Sequence, residues 1–174
     1  MVNNIIEWLK TISHSRWYWL VYITGSLCLL SEALYFQHIL ELQPCLMCIQ
    51  VRLLFSLLII VSLVGLLSRN HRAVNTIAHM SVVLIAISLL ERSYMLLGTE
   101  RGFVFSDCGF NLGLPAWFAI DDWLPWLYRV ETTCGYTPEL IFGITMAEAL
   151  MALSVLLVPL SFCVFLASFL KSRQ

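Results

Sequence analysis

Four long apolar runs dominate the pattern of hydrophobic and polar positions along the chain. An α-helix rises roughly 1.5 Å per residue and needs about 20 residues to cross the hydrocarbon core of a bilayer. Because backbone polar groups in hydrocarbon must be satisfied within their own segment, each run predicts a membrane-spanning helix. The predicted spans are 17–36, 49–67, 75–97 and 143–170.

These spans predict an all-α membrane protein, a four-transmembrane-helix bundle that forms one membrane domain over residues 1–174. The loops 37–48 and 98–140 then lie on one side of the membrane. We expect the first run to remain as a helix rather than to be removed as a secretory signal. Its apolar stretch is longer than that of a signal, and no small-residue cleavage site follows Phe36.

Composition agrees with this fold class and excludes others. Of the 174 residues, 60% are hydrophobic and 12% are charged, which is too little charge to cover the surface of a soluble domain. The net charge of -1 gives no general attraction to nucleic acid. The chain contains neither a glycine-rich phosphate-binding motif nor an H-E-x-x-H metalloprotease motif.

Basic residues are distributed unequally between the two sides of the predicted bundle. Six lie before the first span, between the second and third spans, or after the fourth: Lys10, Arg16, Arg69, Arg72, Lys171 and Arg173. The loop 98–140 instead carries two arginines against six acidic residues. Cytoplasmic segments are enriched in lysine and arginine. We therefore expect both termini in the cytoplasm and both loops in the periplasm or an equivalent compartment.

The six cysteines fall into three groups. The first outer loop holds one pair, the second outer loop holds another, and two lie in spans: Cys45 and Cys48; Cys108 and Cys134; Cys28 and Cys163. The two loop pairs lie on the side of the membrane where disulfides persist. The two cysteines within the spans are expected to be buried packing residues of little reactivity.

Cys45 and Cys48 form a C-x-x-C motif that follows Pro44 and immediately precedes the second span. Unpaired backbone N–H groups at a helix start stabilise a thiolate, so the local thiol pKa should fall. A disulfide across so short a ring restrains the unfolded chain little, which favours a redox role over a structural one. The alternative is half of a structural zinc site that Cys108 and Cys134 would complete.

Cys108 and Cys134 bracket a segment of 25 residues. A bridge between them could stabilise the fold by roughly 3 kcal/mol, which would be sufficient for a purely structural role. Residues 114–128 place tryptophans beside acidic residues without a span-length apolar run, which is typical of a helix in the membrane interface. An interfacial helix would hold this pair near the C-x-x-C motif. Alternatively, the tryptophans are simply an aromatic anchor.

Arg52 lies four residues after Cys48, so the two share one helical face, one turn apart. A cation just inside the hydrocarbon boundary is costly and tends to be functional. Arg52 could favour a Cys48 thiolate or hold the polar group of a ligand. Alternatively, its side chain extends to the lipid head groups.

A C-x-x-C-x-x-x-R motif at the start of the second span, combined with a distant second cysteine pair, is a specific pattern. The segments concerned are Tyr35-Phe36-Gln37-His38, Gln43-Pro44-Cys45-Leu46-Met47-Cys48, Arg52, and Gly143 with Met146. Together they resemble the DsbB family, quinone-dependent disulfide oxidases of the bacterial inner membrane. The chain departs from that family in lacking a histidine shortly before the third cysteine and in having Ala147-Glu148-Ala149 where proline and tryptophan are frequent.

The resemblance implies a cofactor, a partner and a location. The cofactor would be a membrane quinone, either ubiquinone or menaquinone, with Arg52 and Met146 as its binding residues. The partner would be a periplasmic thioredoxin-fold protein similar to DsbA. The chain would be a multi-pass protein of the bacterial inner membrane.

The resemblance also implies a role for each loop cysteine. Cys108 would be the cysteine that the partner attacks, and Cys134 its companion in a disulfide. Cys45 and Cys48 would reoxidise that pair, with Cys48 reacting with quinone. Two other functions remain open from the residues: a quinone and thiol oxidoreductase similar to vitamin K epoxide reductase, and a non-catalytic four-helix scaffold with structural disulfides.

Overall fold

A computed structural model describes residues 15–68, 70–104, 112–113, 119–134 and 143–169. Within these ranges the chain forms four long helices and two short ones: α1 (Arg16–His38), α2 (Leu46–Leu67), α3 (Arg72–Glu100), α4 (Ile120–Trp123), α5 (Pro125–Tyr128) and α6 (Met146–Phe169). Cys108 lies outside the described residues.

The four long helices are long and apolar enough to cross a membrane, with mean hydropathies between 1.4 and 2.5. This confirms the predicted bundle of four transmembrane helices. The protein is accordingly a multi-pass membrane protein. The long helices extend beyond the predicted spans at several ends because capping groups and polar residues continue the helical hydrogen bonds past the apolar run.

The long helices pack in the order α1, α2, α3, α6, with each helix in contact with the next. α1 and α6 therefore lie at the two sides of this arrangement. A cavity of about 490 Å³ separates them, bounded by Tyr22 and Leu29 of α1, Phe55 of α2, and Leu153 and Leu160 of α6. We call the end of the bundle that carries Cys45 the cysteine end.

At the opposite end, a tightly packed cluster holds the first three helices together. Trp19 of α1 is 0% exposed and stacks on His79 of α3, with ring centroids 4.7 Å apart. Gly65 of α2 lies directly against the same indole, and a Cβ atom there would approach the ring to 2.6 Å. A glycine at this position therefore lets the tryptophan fill the space between the helices.

The described part of the second loop forms two single-turn helices, α4 and α5, that meet at Leu124. Trp123 and Trp126 are exposed there. Residues 114–118, the first part of the predicted interfacial segment, lie outside the described residues. The interfacial helix therefore stays a prediction.

Candidate redox site at the cysteine end

The C-x-x-C motif sits at the start of α2, with Cys45 as the residue that caps the helix. Its Sγ accepts a hydrogen bond from the backbone N–H of Cys48 at 3.4 Å. The two sulfur atoms lie 2.7 Å apart, which is longer than the roughly 2.05 Å of a covalent disulfide. Cys45 is 1% exposed and Cys48 is half-buried. The described form of this pair is therefore a closely spaced dithiol.

The helix start stabilises negative charge on Cys45. The pKa of Cys45 is lowered to about 7, chiefly by the hydrogen bond from the Cys48 thiol and also by the backbone N–H groups at the helix start, while burial opposes them. The ordinary value is 9.0. A thiolate is the nucleophilic form of cysteine, so Cys45 is ionised to a useful extent near neutral pH.

The second loop is tied to this motif by backbone contacts. The N–H groups of Glu131 and Thr132 both donate to the carbonyl oxygen of Pro44, at 3.0 and 3.3 Å. Thr132 also forms a parallel β-bridge with Cys45. These contacts bring Cys134, only two residues further along, into the apolar cluster that includes Cys45.

Cys134 is disulfide-bonded. A disulfide sulfur is not a thiolate ligand, so Cys134 in this form is not available to complete a zinc site with the C-x-x-C motif. The structure thus brings together one cysteine of the second loop and both cysteines of the first.

Arg52 joins three parts of the cysteine end. Its guanidinium donates hydrogen bonds to the Gln37 side chain, to the carbonyl oxygen of Ala33 at 3.0 Å, and to that of Leu127 at 3.1 Å. These acceptors belong to α1 and α5, while Arg52 itself belongs to α2. The side chain is 6% exposed. Its charged group therefore lies inside the protein, and the alternative that it extends to the lipid head groups is wrong for this structure.

A second contact fixes α5 on α2. The Tyr128 hydroxyl and the Ser56 hydroxyl lie 2.7 Å apart, and Tyr128 is buried. Ser56 also donates to the carbonyl oxygen of Arg52, one turn earlier. Sequence reasoning missed this pair, because nothing in the spacing of Ser56 and Tyr128 indicates that they meet.

Two cavities meet at Cys48. The inner cavity, about 110 Å³, is bounded mostly by apolar side chains of α1, α2 and α6. The outer cavity, about 260 Å³, is lined by residues of both loops and of the helix ends, and polar groups, including Glu41 and Thr132, form a larger share of its wall. Both cavities are lined by Ala33, Cys48, Arg52 and Met146. Cys48 can therefore be reached from an apolar side and from a polar side.

The start of α6 is fixed by a motif that sequence reasoning overlooked. Thr145 and Glu148 form a capping box, in which each side chain accepts the backbone N–H of the other residue. Glu148 also pairs with Arg101, just beyond the end of α3. The T-x-x-E spacing was a readable signal for this cap. Its effect is to hold Met146 at the wall of both cavities.

The two cysteines within the spans do not match their expectation. Cys28 and Cys163 are free thiols, and both are exposed on the surface of the bundle rather than buried in its core. Cys163 also lines the cavity between α1 and α6. Neither lies among the residues that surround Cys45 and Cys48.

Comparison with known proteins decides the family. The family model described as "Disulfide bond formation protein DsbB" matches residues 15–164. The chain belongs to the DsbB family. Proteins named "Disulfide bond formation protein B" are similar to it in Psychromonas ingrahamii (31% identity; 98% of this chain and 92% of the relative covered), Shewanella amazonensis (32%; 94% and 96%) and Haemophilus influenzae (28%; 95% and 94%).

Membership in the DsbB family gives the site a chemical class. A disulfide bond formation protein is a disulfide-forming oxidoreductase and implies a thiol-oxidoreductase partner. The residues gathered at the cysteine end suit that class, because a thiol pair, a disulfide-bonded cysteine and a buried cation adjoin one another there.

Proposed function

We propose that this DsbB-family protein is a disulfide oxidase that reoxidises a periplasmic, DsbA-like thioredoxin-fold protein and passes the electrons to a membrane quinone. The observation that carries the proposal is the position of Cys48, between an apolar cavity and a polar one, with Cys134 docked beside Cys45. An apolar oxidant and a water-borne protein thiol can therefore act on one connected set of sulfurs.

The first transfer takes place at the second loop. A thiolate of the reduced partner attacks Cys108 of a Cys108–Cys134 disulfide, and Cys134 leaves with the electron pair. The partner's second thiolate then attacks its own sulfur in the mixed disulfide, which releases Cys108. The partner leaves oxidised, and both cysteines of the second loop are reduced.

The second transfer takes place between the loops. The Cys134 thiolate attacks Cys45 of an oxidised C-x-x-C pair, so that a Cys134–Cys45 bond forms and the Cys45–Cys48 bond breaks. The contact between the Cys134 and Cys45 segments supports this direction of attack. Cys48 receives the electron pair, one helical turn from the Arg52 cation. Cys108 then attacks Cys134, which restores the loop disulfide and leaves Cys45 and Cys48 reduced.

The inner cavity fits a quinone ring in its chemistry. Its walls are mostly apolar, and Arg52 and Cys48 line it together. Met146 covers the same cavity from α6. When bound there, a quinone, either ubiquinone or menaquinone, would accept the two electrons of the dithiol. Leu29, Phe55 and Leu153 line both the inner cavity and the larger cavity between α1 and α6, so an apolar tail could continue along the bundle.

The proposed reaction requires one orientation of the protein in the membrane. The cysteine end would face the periplasm, because disulfides persist there. Both termini would then lie in the cytoplasm, with residues 1–174 forming one domain in the bacterial inner membrane. The asymmetry of basic residues independently supports this orientation.

The decisive experiment combines purified protein, a reduced DsbA-like partner and a short-tailed ubiquinone in detergent. We expect catalytic loss of the quinone absorbance together with oxidation of the partner, in equal amounts. A Cys45→Ala and Cys48→Ala double variant is the control and should consume no quinone. Partner oxidation without quinone loss, with molecular oxygen as the acceptor instead, would rule out the quinone assignment.

A further inference from the structure

Glu32 is the acidic residue among those that line the mostly apolar inner cavity. It belongs to α1, and the same cavity is lined by Cys48 and Arg52 of α2. The contributions of α3 and α6 to the described lining are not titratable: Leu96, Met146, Ala149, Leu150 and Leu153. Cys48 and Arg52 are therefore the titratable groups that face this cavity together with Glu32.

Glu32 and Arg52 lie at similar depth in the bundle. Glu32 is six residues before the last residue of α1, and Arg52 is six residues after the first residue of α2. At 1.5 Å per residue, each is about 9 Å from the end of its helix. The two residues differ in how their polar groups are used. Arg52 binds three protein acceptors, whereas Glu32 has no hydrogen-bond or ion-pair partner among the described residues.

A carboxyl group in a membrane span is costly, and such groups commonly serve proton transfer or ligand binding. No hydrogen bond or ion pair among the described residues accounts for Glu32 at this position. Its carboxyl group is instead available to whatever enters the cavity.

The proton balance of the proposed reaction calls for such a group. Conversion of a quinone to a hydroquinone takes up two electrons and two protons. The thiol of Cys48 can supply one proton as the dithiol becomes a disulfide. Cys45, whose pKa is about 7, has already released its proton to water in a large share of molecules at neutral pH. In those molecules the second proton comes from solvent or from another acid at the cavity.

We propose that Glu32 is the general acid that gives this second proton to a quinone oxygen in the inner cavity, a role that rests on the quinone-reducing function proposed above. The reactants are quinone, the Cys45 thiolate, the Cys48 thiol and Glu32 carrying a proton that it has taken up from water. The products are hydroquinone, the Cys45–Cys48 disulfide and ionised Glu32. Both sides carry one negative charge, and two electrons pass from the sulfurs to the quinone.

Neighbouring groups make Glu32 the suitable donor. Arg52 keeps its protons in proteins, so it can hold an oxygen atom but cannot protonate it. Ala33, the next residue after Glu32, lines the polar outer cavity. The two cavities share Ala33, Cys48, Arg52 and Met146, so water in the outer cavity adjoins the inner cavity that Glu32 lines and can return a proton after each turnover.

Three variants of the full-length protein in detergent test the assignment. Glu32→Gln keeps a hydrogen-bond donor of similar shape but cannot release a proton. Glu32→Leu removes the polar group. Glu91→Gln removes a carboxyl group from an exposed position of α3 that does not line the cavity, and it serves as the matched control. Ubiquinone-1 is the probe.

Two measurements are made on each variant. Quenching of tryptophan fluorescence gives the Kd for ubiquinone-1 with the oxidised protein, and stopped-flow absorbance gives the rate at which reduced protein converts the quinone. We expect Glu32→Gln to bind within about twofold of the wild type but to react about a hundredfold more slowly. Its residual rate should rise as the pH falls, because the proton then comes from solvent. Glu91→Gln should match the wild type in both measurements.

An equal reduction rate in Glu32→Gln and wild type would overturn the assignment. A loss of ubiquinone-1 binding in Glu32→Gln that accounts for the whole loss of rate would also overturn it, since Glu32 would then hold the ring rather than protonate it. Wild-type protein that reduces no quinone would overturn the proposed function, and this inference with it. The first two results would leave that function intact.

Discussion

At the end of the bundle opposite the cysteines, Trp19 fills the space between three helices and lies against the Cα atom of Gly65. At the cysteine end, Arg52 and Tyr128 tie a loop to two helices through hydrogen bonds. The first arrangement packs α1, α2 and α3 directly against one another, and the cavity between α1 and α6 begins beside it at Trp17 and Tyr18. The second keeps two cavities open around Cys48. Close packing thus joins three of the four long helices at one end, while hydrogen bonds at the other end hold the second loop beside the cysteines.

The largest effect should come from separating the sulfurs at the cysteine end. Cys45→Ala should abolish quinone-linked turnover, while a Cys108–Cys134 disulfide still oxidises one equivalent of partner. Cys134→Ala should instead accumulate a mixed disulfide between Cys108 and the partner, because the companion thiol is missing. Non-reducing gels distinguish these products.

The exposed cysteines provide matched controls for that experiment. Cys28→Ala and Cys163→Ala lie away from the cysteine end and should leave both turnover and adduct formation unchanged. A partner captured on Cys48 while Cys108 stays free would show that the loops exchange their proposed roles.

Arg52 takes part in both proposed functions of the cysteine end, quinone binding and placement of the second loop. It borders the inner cavity and binds the second loop. Hydrogen bonds to charged groups contribute about 1.5–3 kcal/mol each. Arg52→Ala should therefore raise the apparent KM for quinone by about tenfold or more and also lower the thermal stability.

Gln37→Ala serves as the comparison for Arg52→Ala, because it removes one acceptor of Arg52 and keeps the cation. It should affect stability more than KM. An unchanged KM in Arg52→Ala would mean that the cation acts solely as a tether of the loop.

The ionisation of Cys45 tests the cysteine end further, because the helix start stabilises the Cys45 thiolate there. With a pKa of about 7, the contribution of Cys45 to the ultraviolet thiolate absorbance of the reduced protein should be about ten times larger at pH 8 than at pH 6. The folded pKa lies below the ordinary value of 9.0. The contribution of the Cys45 thiolate to the free energy of unfolding is therefore fully present above pH 9 and is lost as the pH falls through 7. A midpoint near 9 would contradict the proposed stabilisation.

The packed end can be tested with two glycines. Gly65→Ala forces a methyl group into the Trp19 ring and should lower stability by about 1–3 kcal/mol. Gly25→Ala, on an open face of α1 where no atom lies within 4 Å, should stabilise the helix by about 0.5–1 kcal/mol. Thermal unfolding in detergent compares them. Equal melting temperatures for the two variants would refute the close packing at Gly65.

The smallest effect is expected at the Tyr128–Ser56 contact. Tyr128→Phe removes one buried hydrogen bond, which contributes about 1 kcal/mol. It should loosen the second loop and modestly slow transfer from Cys134 to Cys45. A double variant with Ser56→Ala should cost less than the sum of the two single changes, because both remove the same bond. Fully additive effects on unfolding would argue against the contact.

The amino-acid sequence alone determined the four spans, the position of the C-x-x-C motif at a helix start, and the placement of Arg52 one turn from Cys48. These features depend on composition over about 20 residues or on spacings of three and four residues, which are fixed once a helix forms. The family resemblance, carried by the same local motifs, was confirmed by the comparisons.

Only the tertiary structure decided which distant groups meet. The backbone bonds from Glu131 and Thr132 to Pro44, and the burial of Trp19 against Gly65, join segments dozens of residues apart. The rotation of each helix against its neighbours likewise decides that Cys28 and Cys163 are exposed and that Glu32 lines a cavity. In uniformly apolar helices such as these, a weak sequence pattern leaves that rotation undetermined. Side-chain shape and the few polar contacts between segments determine it.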